Sequence, residues 1–244
     1  RHPHARFRLA QARHAKGELA EATKLYRELI LGRDASRSAG PFADQSYVPL
    51  AQALLEDQDP ANDREGEDLL AMVLSGAVGD PSTPVYRSAL WSSAELFFRT
   101  GRFDACIARF DEFLVRYGGG ITDSVRAEPA EIETAEFRMA DAHRQAAGLL
   151  RRVLDQGGMP EGDRRKTESD RSSHLKEAFT RFGKFRGRLE GIENPTPLQA
   201  LRLRNAYFYL GECAFELEDY ETAIAQYELA RERYASDPAA LVAM

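Results

Sequence analysis

Three segments of the chain align with one another without a gap: KGELAEATKLYRELI from Lys16, TGRFDACIARFDEFL from Thr100 and LEDYETAIAQYELAR from Leu217. Each opens on a break and continues with a large apolar residue (Leu19, Phe103, Tyr220). A small residue follows three positions on (Ala22, Cys106, Ala223), then an aromatic four positions later (Tyr26, Phe110, Tyr227). Residues four apart share one face of a helix. A small side chain there lets a neighbouring helix come close, and the ring fills the space beyond it. Upstream of each segment lies a second periodic stretch: FRLAQARHA, LWSSAELFF with the only tryptophan, Trp91, and YFYLGECAFEL. In the last, Tyr207, Leu210, Gly211 and Ala214 follow the i, i+3, i+4, i+7 spacing of an amphipathic helix. The recurring unit is a helix, a tight turn and a helix. No strand pattern competes, because Val and Ile are scattered without sustained alternation and no Asn-Gly hairpin signal occurs.

Two more hairpins follow the same plan less closely. In one, Tyr47, Leu50, Ala51 and Leu54 mark the first helix, and Leu69, Leu70 and Val73 the second, with Gly66 in the small-residue position. Pro49 falls in that first helix, where it lacks a backbone donor, so the helix is expected to start late or to kink there. In the other, Phe137, Ala140 and Arg144 fit a first helix beginning after Pro129, and HLKEAFTRFGKF supplies Ala178, Phe182 and Phe185 for the second. Between them GGMPEGDRRKTESD is polar and rich in breakers, which predicts an exposed loop near 155–172. Its basic trio Arg164, Arg165 and Lys166 is balanced by Glu161, Asp163, Glu168 and Asp170, the composition of a solvated segment. Thr196-Pro197 and Asp80-Pro81-Ser82-Thr83 read as helix starts, and Gly118, Gly119 and Gly120 as a helix stop.

These patterns predict an all-α fold: a right-handed α-solenoid of about five antiparallel helical hairpins, forming one domain over 1–244. The hairpins are expected at about 4–32, 43–76, 84–117, 129–190 and 196–235, with 236–244 starting a capping or truncated helix. The small residues Ala22, Gly66, Cys106, Ala178 and Ala223 are spaced by 44, 40, 72 and 45 residues. The sequence resembles the tetratricopeptide repeat, whose unit is about 34 residues and whose signature places an aromatic, Leu-Gly, then Ala, Phe, Ala and a closing Pro. Tyr207, Leu210, Gly211, Ala223, Tyr227, Ala230 and Pro238 carry that resemblance best, with Pro238 a few residues later than usual. The longer spacing implies long loops or helices that outrun the motif. The endings Phe113-Leu114-Val115-Arg116-Tyr117 and Arg231-Glu232-Arg233-Tyr234 are also similar to those of bacterial cell-envelope tetratricopeptide proteins.

Composition narrows the function. A formal net charge of -6 argues against a nucleic-acid partner, which would call for a basic face. No apolar run is long enough to span a bilayer. The first residues, RHPHARFRLA, lack both an initiator Met and an apolar signal region, so the chain reads as a fragment whose location, cytoplasmic or periplasmic, stays open. Cys106 and Cys213 occupy small apolar positions and read as buried free thiols. His2 and His4 bracket a proline near the start of the chain, without a carboxylate or thiol nearby, and read as solvated. His143 beside Asp141 points away from it on a helix. No HExxH, CxxC or GxSxG occurs, and the glycines at 118–120 lack the following Lys-Ser or Lys-Thr of a phosphate loop. No catalytic residue, cofactor or metal is expected.

The resemblance implies a binding function. Tetratricopeptide hairpins stack into a superhelix whose first helices line a concave groove. The groove positions implied are Phe7, Gln11 and His14 in the first hairpin, Trp91, Glu95 and Phe98 in the third, Arg138 and Gln145 in the fourth, and Phe208, Glu212 and Phe215 in the fifth. Aromatics beside a few charges are the composition of binding hot spots. The Lys and Asn by which one subset of the family grips C-terminal carboxylates are missing here, so an extended peptide with apolar and basic side chains is the expected partner. Homo-oligomers through the solenoid ends are a further expectation. The alternative is an accessory or assembly domain of a larger cell-envelope or secretion machine, or of a multidomain enzyme whose active part lies elsewhere.

Overall fold

The computed structural model describes residues 2–32, 40–56, 59–119 and 125–235. Within them the chain forms α1 (Pro3–Ala15), α2 (Leu19–Leu31), α3 (Gly40–Glu56), α4 (Pro60–Leu74), α5 (Pro84–Arg99), α6 (Phe103–Tyr117), α7 (Pro129–Asp155), α8 (Glu161–Glu190), α9 (Pro197–Glu216) and α10 (Tyr220–Arg233), and no strand. Local chemistry sets the starts. Asp59 accepts from the Ala61 N–H at 2.9 Å, Thr83 from Tyr86 at 3.3 Å, and Thr196 and Gln199 satisfy each other's backbone donors at 3.2 and 2.9 Å. Proline in the first turn of α1, α4, α5, α7 and α9 fills positions whose N–H has no intrahelical partner.

Two compact units result, one of Arg1–Thr100 with Ala108–Ala127 and one of Gly101–Ile107 with Glu128–Met244, the division falling inside α6. In the first unit each helix packs against the next from α1 to α5, and α3 also touches both α1 and α5. Its core joins Phe7, Tyr26, Leu29, Leu50 and Leu54 in one cluster and Tyr47, Leu55, Leu70, Val73 and Leu96 in another. In the second unit α7, α8, α9 and α10 pack in succession around Leu175, Phe182, Phe185, Leu203, Tyr207 and Leu210. Both cysteines are buried free thiols, and burial pushes that of Cys213 up to about 12.

The same contact recurs inside the hairpins. Ala22, Cys106, Ala178 and Ala223 are buried, and the ring four positions after each meets the first helix. Tyr26 takes the edge of Phe7 at 6.1 Å, Phe110 that of Trp91 at 5.5 Å and Phe182 that of Phe137 at 5.7 Å, ring geometries favoured by the aromatic quadrupole. In the fifth hairpin Phe208 turns to Tyr234 instead, and the ring of the second helix meets Gly211. A Cβ there would lie 2.6 Å from Cε1 of Tyr227, so only glycine allows the approach. The turns into the second helices align as well. Gly17 and Gly101 take the left-handed conformation at φ 81° and 73°, and the aligned residue of the fifth hairpin, Glu218, does the same at φ 63°.

Two expectations are corrected. Residues 161–172, read as loop, are the opening turns of α8; only Gln156–Pro160 separate it from α7, with Gly157 and Gly158 at positive φ. Solvated i,i+4 pairs such as Arg165–Glu161 at 2.8 Å support those turns, which is why they carry no apolar stripe to read. With 27 residues in α7 and 30 in α8, long helices rather than a loop account for the wide spacing of this hairpin. Pro49 does not delay its helix: α3 starts at Gly40 and runs through it. Gly120, Pro238 and the segment 236–244 lie outside the described residues.

Replacing Phe110, fully buried, by Ala is expected to lower stability by about 3 to 5 kcal/mol, and Gly211→Ala by about 1 to 3 kcal/mol through overpacking against Tyr227. Urea denaturation midpoints equal to wild type would remove this packing from the account. Glu218→Gly relieves a left-handed residue and is expected to raise stability by about 1 kcal/mol; a lower midpoint for that variant counts against the aligned turns.

Candidate functional site

The first helices of the first unit enclose an open groove of about 400 Å³. His4, Phe7, Arg8 and Gln11 of α1, Phe42, Gln45, Val48, Pro49 and Gln52 of α3, and Pro84, Val85 and Ser88 of α5 line it. Helical spacing makes the lining: positions 4, 8 and 11 share one face of α1, and 45, 49 and 52 one face of α3. Phe42 forms the floor, stacked between His4 at 5.4 Å and Phe7 at 6.0 Å. Amides rim it. Gln11 accepts from Arg8 at 3.1 Å, and Gln52 donates to Ser92 at 3.0 Å. Among the described residues no carboxylate lines the groove, and Arg8 brings a cation to it. Pro49 has no N–H for the Gln45 carbonyl four residues back, so that acceptor lacks its usual intrahelical donor.

Of the residues expected in a groove, Phe7 and Gln11 line this one. Phe7 is nevertheless buried and turned toward Tyr26 and Phe42. His14 is drawn aside, its Nε2 3.1 Å from Glu56 and its ring against Tyr26. Trp91 is engaged within its own hairpin, edge-on to Phe110 and to Phe113 at 5.2 Å. Glu95 and Phe98 are half-buried on α5. Sequence reasoning missed Gln45, Pro49 and Gln52 because Pro49 argued against a regular helix; the i, i+4, i+7 spacing of the three was the available signal.

The first helices of the second unit are tied together by ion pairs. Glu133 of α7 accepts from Arg202 at 3.2 Å and from Gln199 at 2.8 Å on α9, and Arg202 also donates to Thr134 at 2.9 Å. Both members of the Arg202–Glu133 pair are nearly buried, at 10% and 13% side-chain exposure. Further along, Asp141 accepts from Arg144 at 2.9 Å and from Gln145 at 3.0 Å. Arg144 also pairs with Glu212 at 2.9 Å and lies over the Tyr209 ring at 4.2 Å. Gln145 and Glu212 are thus parts of an internally neutralised network. Arg138 is half-buried on α7, Phe208 stacks on Tyr234 at 6.3 Å, and Phe215 is exposed, resting on Tyr220 at 5.6 Å.

A separate polar cluster joins α7, α8 and the start of α6. Nδ1 of His143 lies 3.0 Å from Nδ1 of His174, whose Nε2 lies 3.4 Å from Asp104. Burial, with smaller contributions from His174 and Arg181, pushes His143 down to about 4.

Removing one member of the Arg202–Glu133 pair leaves the other buried and unpaired, so Arg202→Met is expected to cost about 3 kcal/mol. Adding Glu133→Gln should recover much of that loss. A double-mutant cycle in urea with no coupling between the two sites would refute the linkage of α7 to α9.

No curated protein matches the chain. Two solved structures of kinesin light chain TPR-like repeats from Podosopora anserina resemble it. One, a single-substitution form, is 13% identical with a TM-score of 0.61 and 97% of each chain covered; the other is 14% identical with a TM-score of 0.61, covering 97% of this chain and 98% of that one. At that identity the likeness is one of fold. Residues 198–238 match the tetratricopeptide repeat family model, and they span the hairpin in which Tyr227 closes on Gly211. The chain therefore carries a tetratricopeptide repeat match at 198–238, and its fold is an all-α helical repeat solenoid.

Proposed function

We propose that this chain is a non-catalytic scaffold that binds an extended segment of a protein partner, and that the groove between α1, α3 and α5 receives it. The observation that carries this reading is the groove itself: an apolar floor of Phe42, Val48 and Val85, rimmed by Gln11, Gln45 and Gln52. Amides both donate and accept, which suits the backbone of an extended peptide. The Gln45 carbonyl adds an acceptor for a peptide N–H. With Arg8 as its cation and no carboxylate in the lining, the groove favours apolar and acidic side chains in the partner rather than the basic ones expected from sequence.

Exposed Arg8 and Gln45 allow a test that spares the core. The double variant Arg8→Glu/Gln45→Glu is expected to retain the wild-type melting temperature and to lose at least about tenfold in partner recovery by affinity capture and mass spectrometry, from reversed charge at the rim. An unchanged capture profile overturns the assignment of this groove. The Trp91→Ala variant, by contrast, is expected to act through stability, given its contacts with Phe110 and Phe113.

A second reading is favoured by α10, where Tyr220 and Ile224, four apart on one face, are exposed, Ile224 at 59%. An apolar face on the last described repeat suits an end-to-end contact, either with a second copy or with a neighbouring domain of a larger assembly machine. Light scattering of the wild type and of Ile224→Glu decides between a copy, which the substitution dissociates, and a monomer in both cases, which leaves the neighbour. No catalytic role is assigned to any residue.

A further inference from the structure

We propose that His143 and His174 form a two-imidazole site for a borderline divalent transition cation of the Zn²⁺ type, with Asp104 orienting one ring. Their Nδ1 atoms lie 3.0 Å apart, on α7 and α8 of the same unit. Two nitrogens that each stand about 2.0 to 2.1 Å from one zinc ion are themselves about 2.9 to 3.4 Å apart, depending on the angle they subtend. The spacing therefore fits two adjacent positions on a single ion.

The tautomer follows from the neighbours. Nε2 of His174 is 3.4 Å from the Asp104 carboxylate, which places its proton on that nitrogen and aims the Nδ1 lone pair at His143. A carboxylate behind the outer nitrogen is the usual way in which proteins fix a ligating histidine. Without metal, Nδ1–H of His143 donates to His174. Metal binding requires that proton to move to Nε2 of the same ring, which is buried and has no partner in the protein.

The rings open onto a groove of about 440 Å³ that is also lined by Asp104, Asp170, Ser173 and Glu177. Glu177 is engaged by Arg181 at 2.8 Å, and that cation opposes a metal ion. Asp104 and Asp170 supply the opposing negative field. Among the described residues no third metal-ligating side chain converges with the two imidazoles, so the protein supplies two ligands and water the rest.

Isothermal titration of the full chain with Zn²⁺ at pH 7.5 tests this. One equivalent is expected to bind saturably. His143→Ala and His174→Ala should each abolish that binding, and Asp104→Asn should weaken it about 10- to 100-fold. His2→Ala/His4→Ala should leave it intact. Because an alanine variant could lose its fold, imidazole ¹⁵N spectra of the unaltered chain give a second readout, in which the Nδ1 signals of His143 and His174 move together on Zn²⁺ addition. Heat that persists in both alanine variants, spectra in which only His2 and His4 respond, or no saturable binding would each overturn the site and leave a plain N–H···N bond between two helices.

Discussion

Four of the five hairpins depend on two helices coming close enough for a ring on one to lie against the other. That approach needs a small residue where the backbones are nearest and a bulky one beside it, because cores are packed to near-crystalline density and tolerate neither a gap nor an extra methyl group. Ala22 with Tyr26, Cys106 with Phe110 and Ala178 with Phe182 meet the demand from the second helix, and Gly211 meets it from the first. Where the first helix brings its own ring, as with Phe7, Trp91 and Phe137, the two rings meet edge to face. Where it brings glycine, Tyr227 lies on the backbone itself. Both solutions join the same pair of helices.

Once hairpins are fixed in this way, the outward faces of their first helices are free to vary, and the two units use them differently. In the first unit they carry amides, an arginine and apolar side chains around an open groove. In the second they carry Glu133, Asp141, Arg144, Arg202 and Glu212, which spend their charges on one another. Buried pairs of this kind add little net stability but are costly to disrupt one member at a time. A partner therefore meets an open, amide-rimmed groove in the first unit and a largely satisfied surface on this face of the second. The proposed scaffold role rests on that contrast.

How far the sequence could be read depended on how far each residue's role was local. The described helices followed from periodicity, capping residues and glycine turns, which act within a few positions of one another. The opening turns of α8 escaped because a solvated helix made of Glu, Arg and Lys has no apolar stripe, and the same composition describes a loop. Trp91 and His14, expected in a groove, turn to their own hairpin and to Glu56 for a related reason. Periodicity says which residues share a face, but not whether the nearest neighbour across that face is solvent, a partner or the protein's own second helix. Gln45 and Gln52 had the right spacing and were hidden by the proline between them.

The sequence by itself determined the hairpin, its repetition and the residues that must be small or aromatic, since these obey short-range rules of helix geometry and steric fit. Tertiary structure decided which polar groups meet. Arg202 lies 69 positions from Glu133, and His143 lies 31 from His174. No periodic pattern encodes such encounters, because a charge or an imidazole is compatible with any solvated face until packing brings a complementary group within hydrogen-bonding reach. It also decided which faces stay open, as exposure is a property of everything packed around a residue rather than of the residue and its chain neighbours.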